Sequence, residues 1–253
     1  IDIPIGATNT TWDSVNGLGV LFPGVDGVVK FSWNDVGTNS QYASMEDADG
    51  SADPVHYSAN GSTKAQAADP IVRYMARITG SSGNSVFFYP PSPYYFPSNQ
   101  TRSKYLYVNS LKYTGIEDLS IECGGKIAVA IGMSQGMGSW IKGVSSTQPI
   151  KAHISVQYST LFDITECLWD GAPAYGPGQG IGLILESHVF NGKIWDNIGN
   201  SNFPAIEFFT GAANNAVMYN YFLNPQGGLA PIDNHSGHNY KNLVEGNVCY
   251  GFI

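Results

Sequence analysis

The chain has 253 residues and a formal net charge of −8, and charged residues make up only 13% of it. An acidic chain without a basic patch argues against a nucleic-acid partner, because binding phosphates requires cationic side chains. No apolar run approaches the roughly 20 residues that a membrane span requires, so no membrane partner is expected. With 43% hydrophobic residues, 30 glycines and 14 prolines, the composition is typical of a β protein with many tight turns.

The first 110 residues predict short strands separated by glycine-rich turns. Residues 71–96, IVRYMARITGSSGNSVFFYPPSPYYF, predict a β-hairpin whose strands flank the GSSGN turn. Residues 111–253 differ, because their segments repeat. We therefore expect two parts: a strand-rich N-terminal portion, residues 1–110, and a repetitive remainder whose open end this portion caps.

Two series of short segments alternate from about residue 115 onward. The first consists of IAVAIGM (127–133), HISVQYS (153–159), IGLILES (181–187), PAIEFFTG (204–211) and PIDNHSG (231–237). The second consists of EDLSIEC, WIKGVSS, DITECLW, KIWDNIG, VMYNYFL and LVEGNVC. Constant segments joined by connections of unequal length are typical of a solenoid in which each turn adds strands to parallel sheets.

The sequence therefore predicts an all-β fold with a right-handed parallel β-helix over residues 111–253, the handedness following from the crossover rule for parallel strands. A β-sandwich is the alternative, but it does not account for two interleaved series. The sequence stops at YGFI in mid-turn, so a C-terminal cap is expected to be absent. An uncapped end exposes an apolar cross-section, through which we expect self-association.

Aligning the second series places one set of residues at a single inward position: Cys123, Ser145, Cys167, Asn197, Asn220 and Asn247. Asparagines at one position of successive turns, about 4.8 Å apart, can hydrogen-bond to one another through their side-chain amides. The sequence therefore predicts an internal stack of Asn197, Asn220 and Asn247. The three cysteines have no metal-like spacing, and we expect Cys123 and Cys167 to be packed core residues.

Alternation along the first series separates inward from outward side chains. Four aliphatic residues, taken as equivalent and inward, set the register: Ile154, Leu183, Ile206 and Ile232. Four polar residues then share one outward patch: Glu186, Glu207, Asp233 and His235. Successive turns place Glu207 and Asp233 about 5 Å apart, a distance at which like charges disfavour joint ionisation. One carboxyl is therefore expected to have a raised pKa.

A protonated acid beside an ionised carboxylate is the pair that glycoside hydrolysis requires, which makes the four outward residues the catalytic candidates. His235 can act as an acid or a base in such a site. Two alternatives stand beside this one: the acids are solvated surface residues, or calcium coordination relieves their repulsion. No metal site is predicted, and calcium is the one cofactor considered.

Four further residues are candidates for contact with a sugar substrate: Asp170, Tyr175, Phe209 and His238. Asp170 and Tyr175 lie in the long connection before Glu186, from which we expect them to overhang the patch. Phe209 offers a ring that can stack on a sugar face, as does Trp195 in the second series. His238 follows the last outward segment, where it caps the strand or hydrogen-bonds a sugar.

Several segments resemble the pectate-lyase-like superfamily: residues 71–96, TGIEDLSIEC, WIKGVSS, HISVQYSTLFDITECLWDGA, YGPGQGIGLILES and DNHSGHNYKNLVEGNV. The resemblance covers about residues 70–253 and narrows to secreted bacterial members that are similar in architecture to glycoside hydrolase family 28. It implies a parallel β-helix and an action on polysaccharides. The Asn-Thr-Asp, Asp-Asp, Gly-His-Gly and Arg-Ile-Lys motifs of polygalacturonases are missing, and no Arg occurs from residue 152 onward. The usual cleavage of galacturonan is therefore not implied.

Two hypotheses of function follow from the sequence. The first is a secreted carbohydrate-active enzyme, a hydrolase or a lyase, whose partner is a polysaccharide. The second is non-catalytic: a fibre, adhesin or phage tailspike segment whose same face only binds glycan or a neighbouring subunit. A chain low in charge and rich in Tyr, Asn and Ser is typical of an extracellular location, which both hypotheses share.

Overall fold

The computed structural model describes the chain over residues 9–11, 28–33, 72–82, 85–92, 104–108, 110–186, 189–209, 211–228, 230–235 and 239–250. Two compact units divide the chain, Ile1–Ser110 and Leu111–Ile253. The regular elements of the described residues are all β-strands. Within the same ranges, no helix is long and apolar enough to cross a membrane.

The first unit contains an antiparallel sheet. Its strands are β1 (Asn9–Thr11), β2 (Val28–Trp33), β3 (Val72–Ser82), β4 (Ser85–Tyr89) and β5 (Lys104–Val108), in the order β1-β4-β3-β2-β5. β3 and β4 pair antiparallel, which confirms the predicted hairpin. Gly83 and Asn84 of its turn lie outside the described residues. That this unit caps the repeats stays a prediction.

The second unit is a parallel β-helix, in which one turn of the chain is a rung that adds a strand to each of three sheets. Sheet I contains β7 (Gly115–Glu117), β11 (Trp140–Lys142), β14 (Asp163–Thr165), β17 (Lys193–Trp195), β20 (Ala216–Met218) and β23 (Leu243–Glu245). Sheet II contains β8 (Ser120–Glu122), β12 (Ser145–Thr147), β15 (Leu168–Asp170), β18 (Ile198–Asn200), β21 (Tyr221–Leu223) and β24 (Val248–Tyr250). Sheet III contains β9 (Val129–Ser134), β13 (Ala152–Gln157), β16 (Ile181–Glu186), β19 (Ile206–Phe208) and β22 (Ile232–Asn234). A two-stranded ladder adds β6 (Leu111–Lys112) and β10 (Gly136–Met137).

Neighbouring strands of each sheet come from successive rungs and pair in parallel. In sheet III, β16 pairs with β19 and β19 with β22. This topology confirms the predicted parallel β-helix and excludes the β-sandwich alternative.

A two-residue corner joins sheet I to sheet II in every described rung. The first corner residue has a positive φ angle in each case: Asp118, Gly143, Glu166, Asp196, Tyr219 and Gly246. One residue in the left-handed region bends the backbone abruptly, so one three-residue strand can follow another almost at once. The constant corner keeps sheets I and II in register from rung to rung.

The core fills the interior of the β-helix. Sheet I contributes a column of buried β-branched side chains from the middle of its strands: Ile141, Ile164, Ile194 and Val217. Sheet III contributes the residues predicted to face inward: Ile154, Val156, Leu183, Leu185, Ile206 and Phe208, with Ile232 packed against them. Removal of this apolar area from water is the main term that stabilises the stacked rungs.

An asparagine stack inside the corner between sheets I and II confirms the predicted ladder. Asn197 Nδ2 donates a hydrogen bond to Asn220 Oδ1 at 2.9 Å, and Asn220 Nδ2 donates one to Asn247 Oδ1 at 2.9 Å. Each side-chain oxygen also accepts the backbone N–H of the rung before it, since Asn220 Oδ1 accepts Asn197 N at 3.0 Å. The stack thus satisfies backbone groups that a turn would otherwise bury unpaired.

A second asparagine stack was not predicted. It lies before sheet I, where Asn215 Nδ2 donates to Asn242 Oδ1 at 3.1 Å and Asn215 Oδ1 accepts the N–H of Gly192 at 2.9 Å. Asn239 Oδ1 similarly accepts the N–H of Ala212 at 2.8 Å. Two corners of the late rungs are therefore held by side-chain amides.

The alignment of the early rungs in this corner was wrong. The position of Asn197 is occupied by Leu119, Val144 and Cys167 in earlier rungs, because these residues directly precede the strands of sheet II. Cys123 and Ser145 do not belong to that column: Ser145 is the first residue of β12, and Cys123 follows β8. Cys123 and Cys167 are both buried, as expected, but at different corners.

Replacing Asn220 with Ala is expected to lower the free energy of unfolding by about 1–3 kcal/mol, because both neighbouring rungs lose a partner in a buried site. Asn220 is 1% exposed, and its amide also donates to Ile194 O at 3.1 Å. Denaturant unfolding of the purified variant measures the change.

The matched control is Asn200→Ala, which removes an outward amide that donates to Asp170 Oδ1 at 2.7 Å. Water can replace that hydrogen bond at the half-buried site, so the control should lose much less stability. Equal losses in the two variants would contradict the role given to the internal stack.

Candidate functional site

The outward face of sheet III brings the predicted patch together. Glu207 of β19 pairs in register with Asp233 of β22, as expected from the aliphatic positions. Glu186 ends β16, and the N–H of His235 donates to Phe208 O at 2.9 Å just after β22. We call Glu186, Glu207, Asp233 and His235 the acidic patch.

Glu207 lies at the centre of the acidic patch and is only 7% exposed, although it was expected to be an exposed residue. The pKa of Glu207 is raised from its ordinary value of 4.5 to about 7, chiefly by burial and then by the charges of Asp233 and Glu186, while Lys151 lowers it. This is the raised carboxyl pKa that the stacking predicts, but desolvation contributes more to it than like-charge repulsion does. Near neutral pH, Glu207 therefore carries its proton for part of the time.

Glu186 is held in place by three side-chain donors. Lys151 Nζ lies 3.1 Å from Glu186 Oε1, and Gln157 Nε2 donates to Glu186 Oε2 at 3.0 Å. Ser155 Oγ donates to the same oxygen at 3.3 Å. The patch thus holds a carboxyl group that is fixed by its partners beside Glu207, whose pKa is raised to about 7.

Lys151 was missed in the sequence, because it precedes β13 by one residue and has no place in the outward alternation. One signal was available. A cluster of stacked carboxylates requires a cation nearby, and Lys151 is the basic residue of the segment that leads into β13.

Phe209 lies beside the patch. Its ring centroid is 5.2 Å from that of His235, with a tilt of 40° between the rings. Phe209 also packs against a small buried apolar cluster of Ala152, Ile181 and Ile184. The arrangement gives the patch an apolar wall next to an imidazole, and its contact with a sugar stays a prediction. His238 lies outside the described residues.

Asp170 is not brought to the patch, contrary to expectation. It ends β15 in sheet II, where Asp170 Oδ1 accepts a hydrogen bond from Asn200 Nδ2 at 2.7 Å. Tyr175 lies in the connection before β16, and its hydroxyl oxygen accepts the N–H of Ala172 at 3.1 Å. Its ring packs on Gly180 of the same connection. The long connection is therefore held by its own residues.

His153 is a second titratable residue that the structure buries. It is fully buried between Ser146 Oγ, 2.7 Å from its Nδ1, and Gly171 O, 3.0 Å from its Nε2. Because a carbonyl only accepts, Nε2 carries the proton and the Ser146 hydroxyl donates to Nδ1. Burial lowers the pKa of His153 to about 4, so the ring is neutral and part of the core.

No metal centre is built by the described residues: they contain no group of three or more His, Cys, Asp or Glu side chains arranged to hold an ion. The acidic patch and the adjoining Lys151 offer hydrogen-bonding carboxyl groups, an imidazole and a lysine. Proton transfer is the chemistry that these groups support best.

No protein-family model and no curated protein matches the chain. Among solved structures, it is similar to the tailspike gp61 of Pseudomonas phage phi297, with a TM-score of 0.52 and 13% identity, over 98% of this chain and 32% of that one. The tailspike gp49 of Pseudomonas phage LKA1 matches with a TM-score of 0.48 and 10% identity, over 97% of this chain and 44% of that one. The Gp54 tailspike of Acinetobacter baumannii bacteriophage AP22, in complex with A. baumannii capsular saccharide, matches with a TM-score of 0.30 and 10% identity, over 98% of this chain and 55% of that one.

The likeness is one of fold. Of these three structures, the phi297 tailspike alone exceeds a TM-score of 0.5, and its 13% identity supports the parallel β-helix and nothing finer. The chain spans 32% of the length of that tailspike and 44% of the length of the LKA1 tailspike.

The raised pKa of Glu207 predicts how stability depends on pH. Glu207 binds its proton more tightly in the folded state than in the unfolded chain, so the stability that this group contributes is fully present below its ordinary pKa of 4.5 and is lost as pH rises through about 7. Glu207→Gln removes this loss and should become more stable than the parent by roughly 3 kcal/mol at pH 8, with little difference at pH 4. Thermal unfolding of both proteins across this range measures the difference.

Glu122→Gln is the matched control, since Glu122 is an exposed acid on sheet II. Its stability relative to the parent should stay constant over the same pH range. A Glu207→Gln curve that runs parallel to the parent curve would show that Glu207 titrates normally.

Proposed function

We propose that this protein cleaves a glycosidic bond of a neutral polysaccharide by hydrolysis, with Glu207 as the general acid and Asp233 as the second carboxyl group. The observation that supports this proposal is that Glu207 is buried and paired in register with Asp233. Its pKa of about 7 keeps a proton available near neutral pH. The location proposed for the protein is extracellular. The proposed affiliation is with the pectate-lyase-like superfamily, on the sequence resemblance and the shared parallel β-helix.

In the proposed reaction, Glu207 donates its proton to the glycosidic oxygen while the bond from that oxygen to the anomeric carbon breaks. If Asp233 acts as a base, it removes a proton from a water molecule whose oxygen attacks the anomeric carbon. If Asp233 attacks that carbon itself, the Glu207 carboxylate next deprotonates the water that releases the sugar. The separation between the two carboxyl groups with substrate bound decides between these routes.

The charge of the patch favours a neutral substrate and a hydrolytic route. Three acidic side chains face a single described cation, Lys151, which is already paired with Glu186 at 3.1 Å. A lyase acting on uronic acids needs free positive charge beside the sugar carboxylate, and this arrangement offers none among the described residues. His235 and Phe209 lie together beside the patch, where we propose that they contact the sugar.

Glycan binding without cleavage is the second candidate function. The observation that favours it is the 7% exposure of Glu207, which leaves little of that carboxyl open to a substrate in the free protein.

Glu207→Gln and Asp233→Asn are each expected to reduce hydrolysis by at least about a hundredfold, because each removes a proton-transfer group. The parent should release reducing ends from at least one neutral polysaccharide without forming unsaturated sugars. Its rate should fall as pH rises above about 7, where Glu207 loses its proton.

Glu122→Gln, on sheet II, should keep the full rate of the parent. If no polysaccharide in a panel releases reducing ends while binding is retained, glycan binding rather than hydrolysis is the function. Unsaturated products would identify a lyase instead.

A further inference from the structure

The outward face of sheet I carries aromatic side chains that the acidic patch does not use. In sheet I the middle residues of β11 and β17, Ile141 and Ile194, point into the core, so the first and third residues of these strands face outward. Trp140 begins β11 and Trp195 ends β17, with β14 between them in the sheet. Trp195 is 37% exposed and Trp140 is half-buried.

Both indole rings are held in place by carboxylates of the preceding rung. Trp140 Nε1 donates to Glu117 Oε1 at 2.5 Å, and Trp195 Nε1 donates to Asp163 Oδ1 at 2.7 Å. Trp140 also lies against the backbone of Gly115, where a Cβ atom would come within 2.2 Å of the indole ring. Hydrogen bond and packing together fix the plane of the ring and reduce the entropy that a ligand would have to remove.

Tyr219 extends the row at the corner that follows β20. Its ring lies over Gly246 of the next rung, where a Cβ atom would come within 2.4 Å of Cε1, and the side chain is 61% exposed. The six strands of sheet I, from β7 to β23, number the rungs from one to six. The Trp140 ring therefore lies over rungs one and two, the Trp195 ring over rungs three and four, and the Tyr219 ring over rungs five and six. Along the axis of the β-helix the interval is two rungs, about 10 Å at the usual strand spacing. Across the sheet, Trp140 is the first residue of its strand, Trp195 the last, and Tyr219 the corner residue that follows, so the row runs obliquely.

We infer that Trp140, Trp195 and Tyr219 form an aromatic track that binds an extended neutral polysaccharide along the axis of the β-helix. Aromatic faces stack on the C–H faces of sugar rings, and an interval of two rungs suits every second sugar of an extended chain. The carboxylates beside the indoles can accept hydrogen bonds from sugar hydroxyl groups.

Charge decides against an anionic ligand on this face. Three carboxylates lie on or beside this face: Glu117, Asp163 and Glu166. They outnumber two cations, Lys142, whose Nζ is 3.4 Å from Glu166 Oε1, and Lys193, which begins β17 in register with Asp163. Uronic acids and phosphates would meet this acidic surplus, whereas a neutral glycan would not. The track belongs to sheet I and the acidic patch to sheet III, so binding at the track does not depend on the proposed hydrolysis.

Affinity electrophoresis tests the track in native gels that contain hydroxyethyl cellulose, galactomannan, xylan or polygalacturonate. The chain with Glu207→Gln is the background, because slow hydrolysis keeps the gel polysaccharide intact. At least one neutral gel should retard it, and Trp195→Ala or Tyr219→Ala should weaken that binding about tenfold. Trp195→Phe, which keeps a ring, should lose much less.

Tyr221→Ala is the matched control, because Tyr221 is an aromatic residue of sheet II that is 39% exposed but outside the track. It should bind like the background chain, and thermal unfolding of all variants checks that they fold. Three results would overturn the inference: no retardation by a neutral gel, retardation by polygalacturonate alone, or alanine variants of the track that bind unchanged. If the parent binds a neutral polysaccharide but hydrolyses none, the proposed function is overturned and the inferred track is not.

Discussion

Fixed parallel register between rungs is the constraint on which the second unit depends. It places equivalent residues of successive rungs about 4.8 Å apart, because the backbone sets this spacing whatever the side chains are. For Asn197 and Asn220 that distance allows an amide–amide hydrogen bond inside the corner. For Glu207 and Asp233 the same distance brings two carboxyl groups together. The same spacing thus stabilises the asparagine stack inside the β-helix and brings two mutually repelling carboxyl groups together on its outside.

The sequence predicted the fold and the centre of the patch because their signals are periodic. Aliphatic residues at 154, 183, 206 and 232 mark one inward position, and that register alone places Glu207 beside Asp233. The early rungs were misaligned because Leu119 and Val144 occupy the asparagine position with ordinary apolar side chains. Val144 is buried and Leu119 is 40% exposed, and neither carries an amide that would mark the position. The stack of Asn215 and Asn242 escaped notice because it lies in connections, where alternation has no meaning.

The rest of the site depends on three-dimensional details that alternation does not contain. Ladder pairing between β13 and β16 joins Ala152 to Ile181 and Ile154 to Leu183 but skips the residues between them. At this interruption His153 turns inward to Ser146 and Gly171. The reach of Lys151 to Glu186 depends on a long flexible side chain. The burial of Glu207, which is the main cause of its raised pKa, likewise has no periodic signature.

The corner between sheets I and II has two residues in each described rung, whereas the connections from sheet II to sheet III span residues 123–128, 148–151, 171–180, 201–205 and 224–231. The connections from sheet III to sheet I also vary, spanning residues 135–139, 158–162, 187–192, 209–215 and 235–242. Changes in chain length are therefore absorbed on both sides of sheet III. Insertions and deletions there would leave the register of all three sheets intact, because no strand has to move. Over evolutionary time, the surroundings of sheet III can diversify while sheet I keeps the regular spacing of its outward side chains.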